Sequence, residues 1–240
     1  SIIIERDGYR QGNNTDFTAF IGSYVIRLDE AIETENTITV LNGSHEIHLK
    51  EMCITAREGE SAMTISSGAS VLLVPDEIVE FIGGANCPAI SVTGGATLTL
   101  TGGDASALTA QGGKGAAGIG GGPGQAAGTI ILEGGLTVAH GGDQGAGIGG
   151  GAGGNGGYIE INDDARVRAT GGREAAGIGG GAGGVGVSVY VSGDAQVTAT
   201  GGRQGAAIGD GSGAANGGTI HFNGEVSVTA TGGDYAAGIG

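Results

Sequence analysis

The chain has little of what marks a catalytic or nucleotide-binding globule. Only 3 of its 240 residues are proline and only 4% are aromatic. No apolar run approaches the ~20 residues of a membrane-spanning helix, so membrane insertion is not expected. Lysine and arginine total 10 against 25 aspartates and glutamates, a formal charge of −15. That balance disfavours nucleic acid and anionic membrane surfaces as partners. It suits solubility outside the cell and is compatible with Ca²⁺. The two cysteines, Cys53 and Cys87, have neither metal nor redox spacing. They read as buried small hydrophobes, or as a disulfide if adjacent coils bring them face to face. No stretch has an amphipathic helix pattern. A phosphate-cradling glycine loop needs a strand before it, a helix after it and a lysine in place, so a nucleotide site is not expected. There is no signal peptide and no initiator methionine, and Gly240 falls in mid-repeat. These ends read as those of a fragment cut from a longer, multidomain protein.

What the chain has in abundance is glycine, 57 residues of it. The glycines lack the three-residue period of collagen. They also alternate with regularly placed β-branched residues, which argues against disorder. GAAGIGGGPG occupies 115–124, GAGIGGGAGG 145–154, AAGIGGGAGG 175–184, GAAIGDGSGA 205–214 and AAGIG 236–240, each after a Gly-Gly pair. Ile119, Ile148, Ile178, Ile208 and Ile239 thus recur about every 30 residues, the mark of a stacked repeat. A chain this rich in glycine loses much backbone entropy on folding and needs repeated hydrogen-bond ladders to offset it.

Between the glycine runs lie two short strand patterns. The first pairs Ile130 with Leu132, Ile159 with Ile161, Val189 with Val191 and Ile220 with Phe222. Alternate side chains of a strand face opposite ways, so these pairs point inward and Ile131, Glu160, Tyr190 and His221 point outward. Turns follow at Glu133-Gly134, Asp163-Asp164, Gly193-Asp194 and Asn223-Gly224, residues that tolerate positive φ. The second pattern is Val167–Thr170, Val197–Thr200 and Val228–Thr231, with Val and Ala inward and Thr outward. Leu136–His140 breaks this register by placing Thr137 where Val is expected. The third segment is the AGIGGG run, whose interior packing is expected from the isoleucine and the second alanine, with the glycines making tight corners.

Three strands and three turns in about 30 residues predict one coil of a right-handed, three-sided parallel β-helix, all-β, with coils stacked ~4.8 Å apart. Less glycine-rich runs from Thr37 to Leu100 fit the same phase. The predicted organisation is an N-terminal cap over 1–35, holding Tyr9, Phe17, Phe20 and Tyr24 and short strands at Ile2–Ile4 and Ser23–Ile26. A continuous helix follows over 36–240, with explicit repeats from about residue 105.

The run AISVTGGATLTLTGGDASALTAQGGKGAAGIGGG (89–122) and the later TATGG…AAGIGGG units resemble the Gly-rich repeats of large secreted surface proteins of anaerobic bacteria, often described as carbohydrate-binding-domain-like β-helices. The resemblance covers about Thr37 to Gly240. It implies a secreted or cell-surface location and an adhesive or glycan-binding role toward a host or cell-surface ligand. The AGIGGGAGG runs also resemble the glycine-rich polyproline-II segments of phage tail-fibre receptor-binding tips, although the Ile-x-Ile strands between them do not fit that pattern.

Candidate chemistry is confined to outward positions. Polysaccharide lyases and hydrolases need clustered carboxylates or a basic residue on one face, and the carboxylates to consider are Asp163, Asp164, Asp194, Asp210 and Glu225. Asp164 and Asp194 lie one period apart, where stacked carboxylates would repel unless a cation such as Ca²⁺ neutralised them. Lys114, Asp143, Arg173, Arg203 and Asp234 form a column after the Gly-Gly pairs, in which Lys114 with Asp143 and Arg203 with Asp234 are expected neighbours. His45 and His48 fall on opposite strand faces, the wrong arrangement for a metal pair. The expected glycan-binding residues are Glu160, Tyr190 and His221, as a ladder across three coils, and the exposed aromatics Tyr158 and Tyr235. Thr198, Thr200, Thr229 and Thr231 form a flat array of the kind seen in ice-binding solenoids, interrupted one coil earlier by Arg166 and Arg168.

Overall fold

A computed structural model describes residues 1–12, 18–19, 22–27, 33–214 and 218–240. Phe17 and Phe20 lie outside these. Among the described residues there is no helix, so none is long and apolar enough to cross a membrane. The chain winds as a β-solenoid of about seven turns, built from three sheets.

Sheet A holds Ile2–Glu5, Ile38–Val40, Met63–Ile65, Ile90–Val92 and the Ile-Gly pairs at 119, 148, 178 and 208. Sheet B is eight strands deep: Tyr24–Arg27, Ser44–Lys50, Ser70–Pro75, Thr97–Leu100, Thr129–Leu132, Gly157–Ile161, Val187–Val191 and Thr219–Phe222. Sheet C is equally deep: Glu33–Thr34, Met52–Thr55, Ile78–Ile82, Ala107–Gln111, Leu136–His140, Arg166–Thr170, Gln196–Thr200 and Ser227–Thr231. Among the described residues, the strands of successive coils pair in parallel; an isolated antiparallel bridge joins Thr93 to Ala127. Within 1–35, the stretch expected to cap the stack, Ile2–Glu5, Tyr24–Arg27 and Glu33–Thr34 already pair in parallel with the coil above. Gly8–Gln11 and Thr18–Ala19 add two antiparallel strands along the outer edge of sheet A.

The register stacks like on like. Ile90, Ile119, Ile148, Ile178 and Ile208 form one buried column. Leu98, Ile130, Ile159 and Val189 form another, in sheet B. Alternation along each strand therefore decides inside from outside, and Glu160, Tyr190 and His221 do face out. Both alanines of the glycine runs are buried, not only the second. Thr137 is 1% exposed between Leu108 and Val167, so the interior column accepts it, and Leu136 takes the outward position. In sheet C, Ile54 and Phe81 occupy the column that later carries Ala110, Ala139, Ala169 and Ala199. The inward side chains shrink where glycine becomes dense, so the walls close together and the core stays filled.

The glycine runs supply the corners. Positive φ at Gly120 and Gly124 interrupts any polyproline-II path, contrary to the tail-fibre likeness. Gly149 has φ of 134°, and a Cβ there would press into the carbonyl of Gly179 one coil on. That same close approach lets the Gly150 N–H donate to the Gly179 carbonyl at 2.9 Å. The cysteines are both free and half-buried. Cys53 lies on the outer side of sheet C beside Glu80, and Cys87 in the turn leading to sheet A, so the disulfide alternative is not formed. Burial pushes both thiols up, away from reactivity.

Two glycines of one corner are expected to respond differently to the same change. Gly149→Ala should cost at least about 3 kcal/mol, because the clash is with backbone that many coils hold in place. Gly153→Ala, where φ is 74° but the space is open, should cost only about 1–2 kcal/mol of left-handed strain. Urea unfolding of the two variants measures the difference, and equal losses would contradict this account of the corner.

Candidate functional site

The outer face of sheet B carries the expected ladder. Glu160 stands opposite Tyr190, and Tyr190 opposite His221, on successive coils. The ring centroids of Tyr190 and His221 are 5.1 Å apart with planes only 17° from parallel. Tyr158 joins them from the neighbouring column, its ring 5.4 Å from that of Tyr190 and tilted by 33°. Diagonal neighbours two residues over lie within reach of aromatic side chains, a contact that strand alternation alone does not reveal. Each ring pair contributes about 0.5–1.5 kcal/mol beyond its area burial.

Glu160 is held from both sides along its own strand. The Tyr158 hydroxyl donates to Oε2 at 3.1 Å, and Asn162 Nδ2 donates to Oε1 at 3.2 Å. Asn162 was not singled out from sequence. Its own Oδ1 is buried and has no hydrogen-bond partner among the described residues. Partial burial, then the bond to the Glu160 carboxylate, raises the Tyr158 hydroxyl above its ordinary value, so it stays a donor at neutral pH. The stacked rings cover each other's inner faces. They present to solvent their edges and their polar atoms.

Comparison with models of protein families, with curated proteins and with solved structures finds no match. The likeness to Gly-rich bacterial surface repeats therefore rests on the repeat motif itself.

The other expected residues do not join this strip. Tyr235 is 72% exposed in the turn between sheets C and A, where the Arg203 guanidinium lies 5.4 Å from its ring centre. Asp164 and Asp194 do fall in register at the turn between sheets B and C, both exposed. Among the described residues no group of three or more His, Cys, Asp or Glu could hold a metal ion. Two carboxylates are far fewer than the six to eight oxygens that Ca²⁺ takes. In the charge column, Arg203 meets Asp234 at 3.5 Å as expected, but Asp143 is engaged by Arg173 at 3.4 Å, from the coil above. Asp210 accepts from the Gly186 N–H.

At the other end of sheet B, His45 is buried edge-on to Tyr24, and its Nε2 lies 2.8 Å from the Asn42 carbonyl. His48, on the opposite face as expected, lies between two carboxylates. Its Nδ1 is 3.1 Å from Asp76 Oδ1 and its Nε2 is 3.0 Å from Glu46 Oε1. Ser23 donates to the other oxygen of Glu46 at 2.6 Å. Bonds to Asp76 and then Glu46 raise the His48 pKa, and bonds from Ser23 and then His48 lower that of Glu46.

The sign of the linkage follows from these directions. The raised His48 contributes stability that is complete below its ordinary value of 6.5 and fades as pH rises through its folded value. The lowered Glu46 contributes above its ordinary 4.5 and loses that as pH falls through its folded value. The clasp is therefore strongest between about pH 4.5 and 6.5. An NMR titration of the His48 ring should show a midpoint above 6.5, falling toward that value in Asp76→Asn. A midpoint that Asp76→Asn leaves unchanged would contradict the clasp.

Proposed function

We propose that the chain is a non-catalytic segment of a secreted or cell-surface protein that binds a glycan along the outer face of sheet B. The supporting observation is the stack of Tyr158, Tyr190 and His221 beside a fixed Glu160. Its rings succeed one another at the coil spacing, close to the advance per sugar of an extended glycan. A polysaccharide lying along the solenoid axis would meet a ring edge on each of the three coils that carry Tyr158, Tyr190 and His221. Its hydroxyls would find Glu160 and the Tyr158 hydroxyl. Right-handed winding and capping by the N-terminal strands belong to the same reading, as does membership of a longer multidomain protein.

A second reading, a rigid stalk that presents another domain, is favoured by the unbroken in-register stacking of sheets B and C. A glycan array probed with the labelled chain, followed by calorimetry, separates the two. Tyr190→Ser and Glu160→Gln should weaken a hit at least tenfold while circular dichroism stays native. Thr170→Ser, exposed on sheet C, should leave it unchanged. Absence of any glycan hit would leave the stalk, and shortening of a bound glycan would move the protein into the polysaccharide lyase or hydrolase class.

A further inference from the structure

The outer face of sheet C carries a different chemistry. Among the chain's lysines and arginines, only Arg166 and Arg168 stand two residues apart. Their strand directs both away from the core, onto one face. Thr198 stands opposite Arg168 on the coil above, and Gln196 opposite Arg166. Between these side chains, over Leu136 and Val167, lies an open depression of about 130 Å³. That is room for one small charged group and its immediate neighbours.

The two guanidiniums are under-used. Arg166 reaches back over two coils, its Nη2 donating to the Asp104 carbonyl at 2.8 Å and lying 3.6 Å from the Asp104 carboxylate, which is itself almost fully exposed. Its Nε is buried and has no hydrogen-bond partner among the described residues, so a ligand would meet the outer nitrogens. Arg168 is exposed and forms no ion pair among the described residues. Placing two cations side by side, with one of them unpaired, costs repulsion in the free protein, which an oxyanion between them would relieve. Planar guanidinium forks match carboxylate and sulfate geometry.

We propose that Arg166 and Arg168 form an anion subsite on sheet C that takes the carboxylate of an acidic sugar. The surroundings select this class. Asp164, Asp194 and Glu225 line the adjoining turn, exposed, and the whole chain is strongly acidic. A densely charged polyanion is repelled there, whereas a single carboxylate on an otherwise neutral molecule is accepted. Gln196 and Thr198 offer neutral donors and acceptors to the hydroxyls of that molecule. The subsite is independent of the strip on sheet B.

The test follows the arginine side-chain Nε–Hε signals by NMR at constant ionic strength, with sodium glucuronate, sodium sulfate and glucose as probes. Glucuronate should shift the Arg166 and Arg168 signals saturably, at least threefold more tightly than sulfate, with glucose silent. Arg168→Gln, an exposed change that leaves the fold intact, should weaken glucuronate at least tenfold, and Arg168→Lys less. Linear, non-saturating shifts, equal shifts with glucose or sulfate, or full retention in Arg168→Gln would each overturn the proposal. Signals of Tyr158, Tyr190 and His221 report on sheet B in the same spectra, so failure here and failure there are read separately.

Discussion

The constraint on which everything else depends is the contact of backbone with backbone at the glycine corners. At Gly120, Gly149, Gly179 and Gly209 the chain turns with φ near 135–140°, against the carbonyl of the coil above. No side chain fits there. The same approach keeps the parallel ladder continuous through a corner, where a bulkier chain would lift away and leave its amides unpaired. Dense glycine is entropically expensive, yet here each corner residue donates or accepts across coils, and the cost is spread over a ladder in which every turn supports its neighbours.

Once the corners fix the rise from coil to coil, the register fixes what each side chain can meet. Interior columns become repetitive and interchangeable in kind: isoleucine on isoleucine in sheet A, alanine on alanine in sheet C. The narrowing from Phe81 to the alanines shows the core adjusting to the glycine walls. Outward columns are free of that demand. Residues about 30 positions apart become neighbours at strand spacing, which is how Tyr190 comes to lie on His221 and Arg173 to reach Asp143.

Much of this is legible in the sequence because a strand has a period of two and the repeat a fixed length. Those two rules place Ile159 and Ile161 inside and Glu160 outside, and they align Glu160, Tyr190 and His221. What they miss depends on side-chain reach. Tyr158 enters the stack diagonally, and Asn162 turns back onto Glu160. Asp143 takes the arginine above instead of Lys114 below because a long side chain chooses among several coils. Thr137 looked like a break in register, but one buried hydroxyl between Leu108 and Val167 does not shift a strand held on both sides.

A surface of this construction repeats in one dimension, its outward columns advancing along the axis at strand spacing. Under the proposed glycan-binding reading a linear polymer would match it, whereas a compact ligand would use only one or two coils. Sheets B and C then differ by sign and polarity and not by shape. Sheet B aligns ring edges with a carboxylate and suits neutral hydroxyls, while sheet C sets two arginines against threonine and glutamine. In a chain of net charge −15, that pair of cations is the local exception on a sheet face. The core has no use for either arginine, and the ladder of sheet C accepts uncharged residues there one coil later, at Gln196 and Thr198. The burden of explanation for Arg166 and Arg168 therefore falls on what they meet outside the solenoid.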